Sequence, residues 1–243
     1  MLGLIIWMDS NGSSKGIFPL FKTIHTWHNK PSNDNNNTAA AQRPAMMSAG
    51  GIIQTNVVSA GSLDVRYVIM SFFALSAMFQ GAAGWFELLD SPQLRFGEYS
   101  LSASSMILAI GVESGVDDIY TLQAMFVLIF ATMMLGILAE TDYLAHGVAW
   151  ITFLSAYSPI IDSFLNASNG STVPAPGFVH VIVFLQFFLF GCFGAVQTYS
   201  LFYPSYTHSD DEPGTISLPY MFLSLTAKTI LAWLILSPII MAA

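Results

Sequence analysis

Lys228 is the residue with the clearest potential for chemistry. It is the last basic residue after Arg95 and lies in the apolar run Leu218–Ala243, with ten residues of that run before it and fifteen after it. An amine at mid-membrane depth costs about 2.5–3.5 kcal/mol, so it usually has a function and a charged partner. A lysine in a dry site also loses its proton readily, which suits it to form a Schiff base with a carbonyl compound. A lysine near a helix end could instead extend to the interface, but the central position of Lys228 fits that poorly.

A buried amine requires a counter-charge, and few carboxylates lie within apolar segments. The candidates are Glu98, Glu113 and Asp162. Glu98 has Ser102 at i+4 and Ser105 at i+7 on its own helical face, which suggests a polar pocket facing the interior. Alternatively, Glu98 pairs with Arg95 at i−3 near the interface. The spacing alone leaves both arrangements open.

Ser224 lies one helical turn before Lys228 and shares its face. Its hydroxyl could hydrogen-bond the lysine nitrogen or an adduct, or it could bond its own i−4 carbonyl. The neighbouring segments supply aromatic and methionine side chains: Phe184, Phe187, Phe188, Phe190, Phe193, Met125, Met133 and Met134. Such residues commonly belong to the hydrophobic core and bind no ligand. Together with a buried amine and a buried acid, however, they favour a pocket for a long apolar ligand that is held covalently at one end.

The elements that must position these residues are membrane spans. The chain has 243 residues, of which 54% are hydrophobic and 9% charged, whereas soluble domains carry about 25% charged residues. Six segments reach the roughly 20 residues that a crossing needs: Val65–Leu89, Phe96–Val116, Ile119–Ala139, Ala145–Leu165, Phe178–Leu201 and Leu218–Ala243. None of these segments alternates strictly between apolar and polar residues, so we predict an all-α membrane protein with a helical bundle rather than a β-barrel.

The first 64 residues differ from the rest of the chain. Met1–Met8 is apolar but too short to cross a membrane, and it could be the tail of a first span or a short interfacial anchor. A polar tract ending in Asn33–Thr38 follows. We therefore predict that residues 1–64 form a stub of helix 1 plus a long polar outer loop, and that residues 65–243 form a six-span bundle.

Several other functions are disfavoured. The net charge of −8, with only seven basic residues, argues against nucleic-acid binding, which needs a clustered basic face. The five histidines are scattered, so no metal site is predicted. The acidic stretch Tyr203–Thr215 is interpreted as a solvated loop. No nucleophile–base pair or metal set supports an enzyme.

Four strings carry a resemblance to a known family: Ser224-Leu-Thr-Ala-Lys228, Glu98-Tyr-Ser-Leu-Ser, Phe72-Phe-Ala-Leu-Ser-Ala and Phe190-Gly-Cys-Phe-Gly-Ala-Val-Gln197. Together, over Val65 to Ala243, the chain resembles a heliorhodopsin, a family of retinal-binding seven-helix membrane proteins. The resemblance implies a seven-helix rhodopsin-like bundle whose first helix is truncated or atypical here. Gln80 stands where a histidine is expected.

The resemblance also implies roles for individual residues. It implies that Lys228 binds all-trans retinal covalently as a protonated Schiff base, that Glu98 is the counterion and that Ser224 is a second hydrogen-bonding group. The positions that resemble other pocket residues are Ser102, Met106, Phe190 and Gln197. A homodimer is implied, in a multi-pass membrane protein with an inside N-terminus and an outside C-terminus.

Two light-dependent functions follow from these expectations. The first is a photosensor that signals by conformational change to an unknown partner. The alternative is a light-driven or light-gated proton or ion transporter, which needs polar groups leading to both faces. Glu113, Asp117 and Asp118 could serve one half of such a path, but the other half has little beyond Glu98, His146 and Glu140. The incomplete path favours the photosensor.

Overall fold

The computed structural model of the protein describes residues 16–28, 46–48, 51–85, 92–170, 177–203 and 217–241. These residues form three strands followed by six helices. The strands are β1 (Ile17–His28), β2 (Met46–Ser48) and β3 (Gly51–Asp64). The helices are α1 (Val65–Trp85), α2 (Pro92–Glu113), α3 (Ile119–Leu138), α4 (Tyr143–Gly170), α5 (Gly177–Phe202) and α6 (Ser217–Met241). The predicted rhodopsin-like helical membrane bundle is confirmed.

Five of the six helices are long and apolar enough to cross a membrane: Val65–Ala82, Ile119–Leu138, Tyr143–Ser168, Gly177–Phe202 and Pro219–Ile240. Helix α2 falls outside this group because it carries buried polar side chains. These are Glu98, Ser100, Ser102, Ser104 and Glu113. The segment predicted as the span Phe96–Val116 is therefore a helix, but its interior-facing polarity lowers its hydropathy below that of the other five.

A three-stranded antiparallel sheet in the order β1-β3-β2 precedes the helices. Strand β1 pairs with β3 from Ile17 opposite Asp64 to His28 opposite Ile52, with a bulge after Leu20. Gly61, opposite Leu20, has φ of +127°, which a residue without a Cβ adopts at little cost. Phe18 and Leu20 are buried against the helical core, so the sheet is packed onto the bundle rather than separate from it.

The sheet corrects the part of the prediction for residues 1–64 that made the segment before Val65 a polar outer loop. In β1 the buried positions Phe18 and Leu20 alternate with half-buried Ile17, Pro19 and Phe21, and this short alternation is hidden because nearly every residue there is apolar. Residues 1–15 and 29–45, which include Met1–Met8 and Asn33–Thr38, lie outside the described residues. The same holds for residues 204–215 of the predicted acidic loop.

The turns between helices follow local chemistry. Gly115, with φ of +95°, makes the tight link after α2, and the Asp118 carboxylate caps α3 by accepting from the Thr121 amide at 2.8 Å.

Helix α4 extends to Gly170, five residues beyond the predicted end of its span at Leu165. In that extension Asn166 donates to the Asp162 carboxylate one turn earlier, which helps the helix continue through residues predicted as loop.

A close approach between α2 and α3 gives a first testable prediction. A Cβ built on Gly136 would lie 2.5 Å from Phe96 Cε1 and 2.8 Å from Phe96 Cδ1. We expect Gly136→Ala to destabilise the bundle by about 1–3 kcal/mol through overpacking, measured by thermal unfolding in detergent. Gly147→Ala is the control because a Cβ there meets nothing within 4 Å. Equal melting temperatures for the two variants would contradict this packing.

Candidate functional site

A buried ion pair joins α2 and α6. The Nζ atom of Lys228 lies 2.7 Å from Oε1 of Glu98, and the two side chains are 4% and 5% exposed. The amine also lies 5.7 Å from the centre of the Tyr99 ring, close enough for a cation–π attraction. Desolvating two charges is costly and is offset only by close geometry and further hydrogen bonds. The pair is therefore the most specific polar feature of the bundle interior.

The ion pair decides between the two arrangements that the spacing of Glu98 left open. Arg95 does not pair with Glu98; its Nη2 lies 3.1 Å from Glu140 Oε1 near the end of α3. Its guanidinium also stacks 4.8 Å from the ring centre of Tyr220. The other candidate partners are remote from Lys228: Glu113 ends α2 and Asp162 lies near the end of α4. Glu98 is thus the carboxylate that meets the amine.

Helix α1 completes the cluster with two side chains that the sequence analysis did not assign to the site. Ser76 accepts a hydrogen bond from Lys228 Nζ and donates to Glu98 Oε1 at 2.6 Å. Gln80 Nε2 points to Glu98 Oε2 at 3.5 Å. The i, i+4 spacing of these two polar residues in an otherwise apolar helix was the available signal. Three helices therefore converge on one carboxylate.

Three predicted hydroxyls make other contacts than their spacing suggested. Ser102 is 1% exposed, but its hydroxyl has no hydrogen-bond partner and does not reach Glu98. Helical side chains lean toward the N-terminus, so the Glu98 carboxylate points away from a residue at i+4. Ser105 bonds the carbonyl of Leu101. Ser224, 3% exposed, lies beside the Tyr99 phenol rather than bonding the Lys228 nitrogen.

A narrow cavity of about 10 Å³ opens beside Lys228 and is called the narrow cavity below. Its lining includes the predicted residues Ser102, Met106, Phe190 and Ser224, together with Tyr99, Ala103, Met133, Phe193 and Ala227. The volume is about that of one water. The unpartnered hydroxyl of Ser102 therefore lines a small space that starts at the amine and is bounded mostly by apolar and aromatic side chains.

A second, larger space of about 60 Å³ lies between α3, α4 and α5 and is called the wide cavity below. Met133, Phe190 and Phe193 line both cavities, so the two are neighbours along one track. The predicted residue Gln197 lines the wide cavity, as do Trp150 and Phe153. Among the aromatic and methionine candidates, Phe184, Phe188 and Met134 instead face outward, at 57%, 65% and 38% exposure.

The track fits a long apolar group attached at one end. It starts at a desolvated amine, runs past Met133, Phe190 and Phe193, and widens beneath Trp150. Ligand sites of this kind are mostly apolar, with a few polar groups that fix orientation. Within the described residues, no group of three or more His, Cys, Asp or Glu side chains could hold a metal ion. The lining of the two cavities is thus mostly apolar, with an amine at one end.

Fold and site together define a helical integral membrane protein with a buried lysine–carboxylate pair at the head of an apolar pocket. The heliorhodopsin family model matches residues 32–240. The chain therefore belongs to the heliorhodopsin family. Among curated proteins, no sequence matches it at a significant level.

Membership of the heliorhodopsin family confirms the resemblance found in the sequence and indicates a class of function. The protein belongs to a retinal-binding, light-responsive family of membrane proteins, and this family is not a classical enzyme family. The five apolar helices agree with an integral membrane location. The inside N-terminus, the homodimer and the roles of individual site residues stay predictions.

Proposed function

We propose that the protein is a photosensor in which Lys228 holds all-trans retinal through a protonated Schiff base. The observation that carries this proposal is the 2.7 Å contact between Lys228 Nζ and Glu98 Oε1 at the closed head of an apolar track. Bound retinal supplies the absorption of visible light and a change of shape by isomerisation. The protein's residues supply the attachment, the charge balance and the response.

Each site residue has a distinct part in this proposal. Glu98 provides the negative charge that keeps a positive nitrogen stable in the bundle, since an isolated buried charge is strongly unfavourable. Ser76 bridges the amine and the carboxylate, and it holds both in one orientation. Met106, Phe190 and Ser102 lie along the narrow cavity, and Gln197 lies at the wide cavity. Ser224 lines the narrow cavity next to Lys228 and Tyr99, where its hydroxyl would be the second polar group beside the Schiff base.

The hydrogen bonds around Glu98 favour sensing over transport. Its partners are Lys228, Ser76 and Gln80, and neither the hydroxyl nor the amide titrates near neutral pH. The next buried carboxylate on α2, Glu113, is fifteen residues away, or about 22 Å along the helix. Buried Met106, Ile107 and Ile110 lie between them. A proton that leaves the nitrogen for Glu98 therefore has no titratable next partner in the described network and returns.

A displacement of that nitrogen relative to Glu98 would then be the event that is signalled. Weakening the pair changes the relative energies of the arrangements of α1, α2 and α6, because these helices meet at the pair. A bundle with two packed arrangements responds as a switch whose populations are biased by this local change. The homodimer that the family resemblance implies and an unknown signalling partner would receive the output.

Reconstitution tests the proposal. We expect the purified protein to develop a visible absorption band on addition of all-trans retinal, and illuminated cells that express it to show no photocurrent above untransfected cells. Absence of any pigment would refute retinal attachment. A photocurrent that is lost in Glu98→Gln would instead support the alternative, a light-driven or light-gated proton or ion transporter.

A further inference from the structure

Gln197 contributes a buried polar atom whose hydrogen bonding is incomplete. The side chain is 5% exposed and lines the wide cavity. Its Oε1 accepts a hydrogen bond from the Tyr220 hydroxyl, whereas its Nε2 has no partner. Turning the amide over would exchange the two atoms and would still leave one of them unused. An unpaired buried amide donor is costly, typically by enough to change an equilibrium severalfold.

The other side chains with polar groups at the wide cavity make hydrogen bonds. Trp150 Nε1 donates to His146 Nε2 at 3.1 Å, and His146 Nε2 also lies 2.8 Å from the Thr198 hydroxyl. Thr132 Oγ1 donates to the Leu128 carbonyl at 2.8 Å. Among the described residues that line this cavity, Gln197 Nε2 is thus the buried side-chain atom without a partner. One donor is left facing a largely apolar space.

A single unused donor suits an organic ligand better than a water molecule. A buried water typically makes about three hydrogen bonds, and this cavity offers it one free donor among walls such as Phe96, Phe153 and Phe190. A hydrocarbon body that carries one oxygen would fill the apolar part and accept the one bond. Buried polar groups of this kind discriminate sharply between ligands that satisfy them and ligands that do not.

The position of the cavity indicates which end of the ligand carries that oxygen. Tyr220, the partner of Gln197, lies eight residues before Lys228 on α6, or about 12 Å along the helix. The narrow cavity at Lys228 and the wide cavity share Met133, Phe190 and Phe193. A retinoid attached at Lys228 and lying along these two cavities would bring its ring, at the end opposite its carbonyl group, to Gln197.

We propose that the wide cavity recognises an oxygen atom on the ring of the chromophore, so that this protein prefers a ring-oxygenated retinal, with a hydroxyl or keto group, over plain retinal. Gln197 Nε2 would donate to that oxygen. This inference rests on the proposed function, since it takes attachment at Lys228 as given.

Competition for the apoprotein tests the inference by occupancy rather than by light response. The purified protein is incubated with equal, limiting amounts of all-trans retinal and all-trans 3-hydroxyretinal, and in parallel with all-trans retinal and all-trans 4-oxoretinal. The bound retinoids are then released and quantified by chromatography. We expect the oxygenated retinoid to be enriched roughly two- to tenfold in the wild type, the factor that one net hydrogen bond provides.

Variants at Gln197 show whether the amide is responsible. Gln197→Met keeps the length of the side chain without a donor, and Gln197→Leu is a second variant in case one of them is poorly folded; both should reduce the enrichment to about one. Tyr220→Phe is the matched control because it removes the neighbouring hydrogen bond but keeps the amide, so the enrichment should persist. Pigment formation with plain retinal verifies that each variant is folded.

The possible outcomes separate this inference from the proposed function. Equal occupancy by plain and oxygenated retinoids in a wild-type protein that forms pigment would overturn the inference and leave retinal attachment intact. An enrichment that survives both Gln197 variants would also overturn it. A wild-type protein that forms pigment with none of the three retinoids would refute the proposed function, and the ring preference with it.

Discussion

Replacement of Lys228 by alanine should abolish the visible pigment. The amine is the atom to which the retinal carbonyl would be joined, and among the described residues the other lysine, Lys22, lies in β1 outside the helices. The variant also leaves Glu98 as an unpaired buried charge, which costs about 3–5 kcal/mol. Absorption spectra after addition of all-trans retinal measure the first effect, and thermal unfolding of the apoprotein measures the second.

Lys228→Arg separates these two effects. A guanidinium keeps a positive charge near Glu98 but does not condense with an aldehyde, so we expect this variant to be colourless and more stable than Lys228→Ala. Peptide mapping of any bound retinoid identifies the attachment site. A coloured Lys228→Ala protein with covalently attached retinal would end the proposal for this residue.

Glu98→Gln should have the second-largest effect. Without the anion 2.7 Å from Nζ, the positive charge on the nitrogen has no described counter-charge within hydrogen-bonding distance. Removing one member of a buried pair costs about 3–5 kcal/mol. We therefore expect the nitrogen to lose its proton and the visible band to weaken in favour of near-ultraviolet absorption, which a spectrum at neutral pH records.

Glu113→Gln is the matched control for Glu98→Gln. Both carboxylates are 4% exposed and belong to α2, but Glu113 ends the helix and its Oε1 has no hydrogen-bond partner. The same chemical change at this position should leave the visible band in place. An unchanged band in Glu98→Gln, or an equal loss of colour in Glu113→Gln, would show that Glu98 is not the counterion.

The helices could be predicted because the membrane imposes a length on them. The run Ile119–Ala139 became α3, Ile119–Leu138, with the Asp118 cap at its start. The predicted helix boundaries were wrong where local hydrogen bonds extend a helix, as at Asn166 in α4. The sheet could not be predicted, because the pairing of β1 with β3 joins residues such as Ile17 and Asp64 that are far apart in the chain, and sequence patterns do not encode such pairing.

Only the charged residues of the site could be predicted, because burying a charge is costly. Lys228 and Glu98 stood out because each is an ionisable residue in a largely apolar segment. Ser76 carries no such penalty, since a helix hydroxyl can bond its own backbone. Its role depends on the packing of α1 against α2, which is a tertiary property. Ser102 was misplaced for the same reason, because spacing gives the face of a helix but not the reach of a side chain.

Strand β1 is hydrogen-bonded to the start of α1 and to the turn after α2, two of the helices that meet at the buried Lys228–Glu98 pair. The amide of Phe21 donates to the carbonyl of Asp117 in the turn after α2, and the carbonyl of Gly16 accepts from the amide of Val65 at the start of α1, both at 2.9 Å. Such bonds weaken once they lengthen by roughly half an ångström. If α2 slides past α1, one of these two hydrogen bonds must break or β1 must move with the helix. A displacement at the buried amine would therefore be transmitted to the backbone of β1.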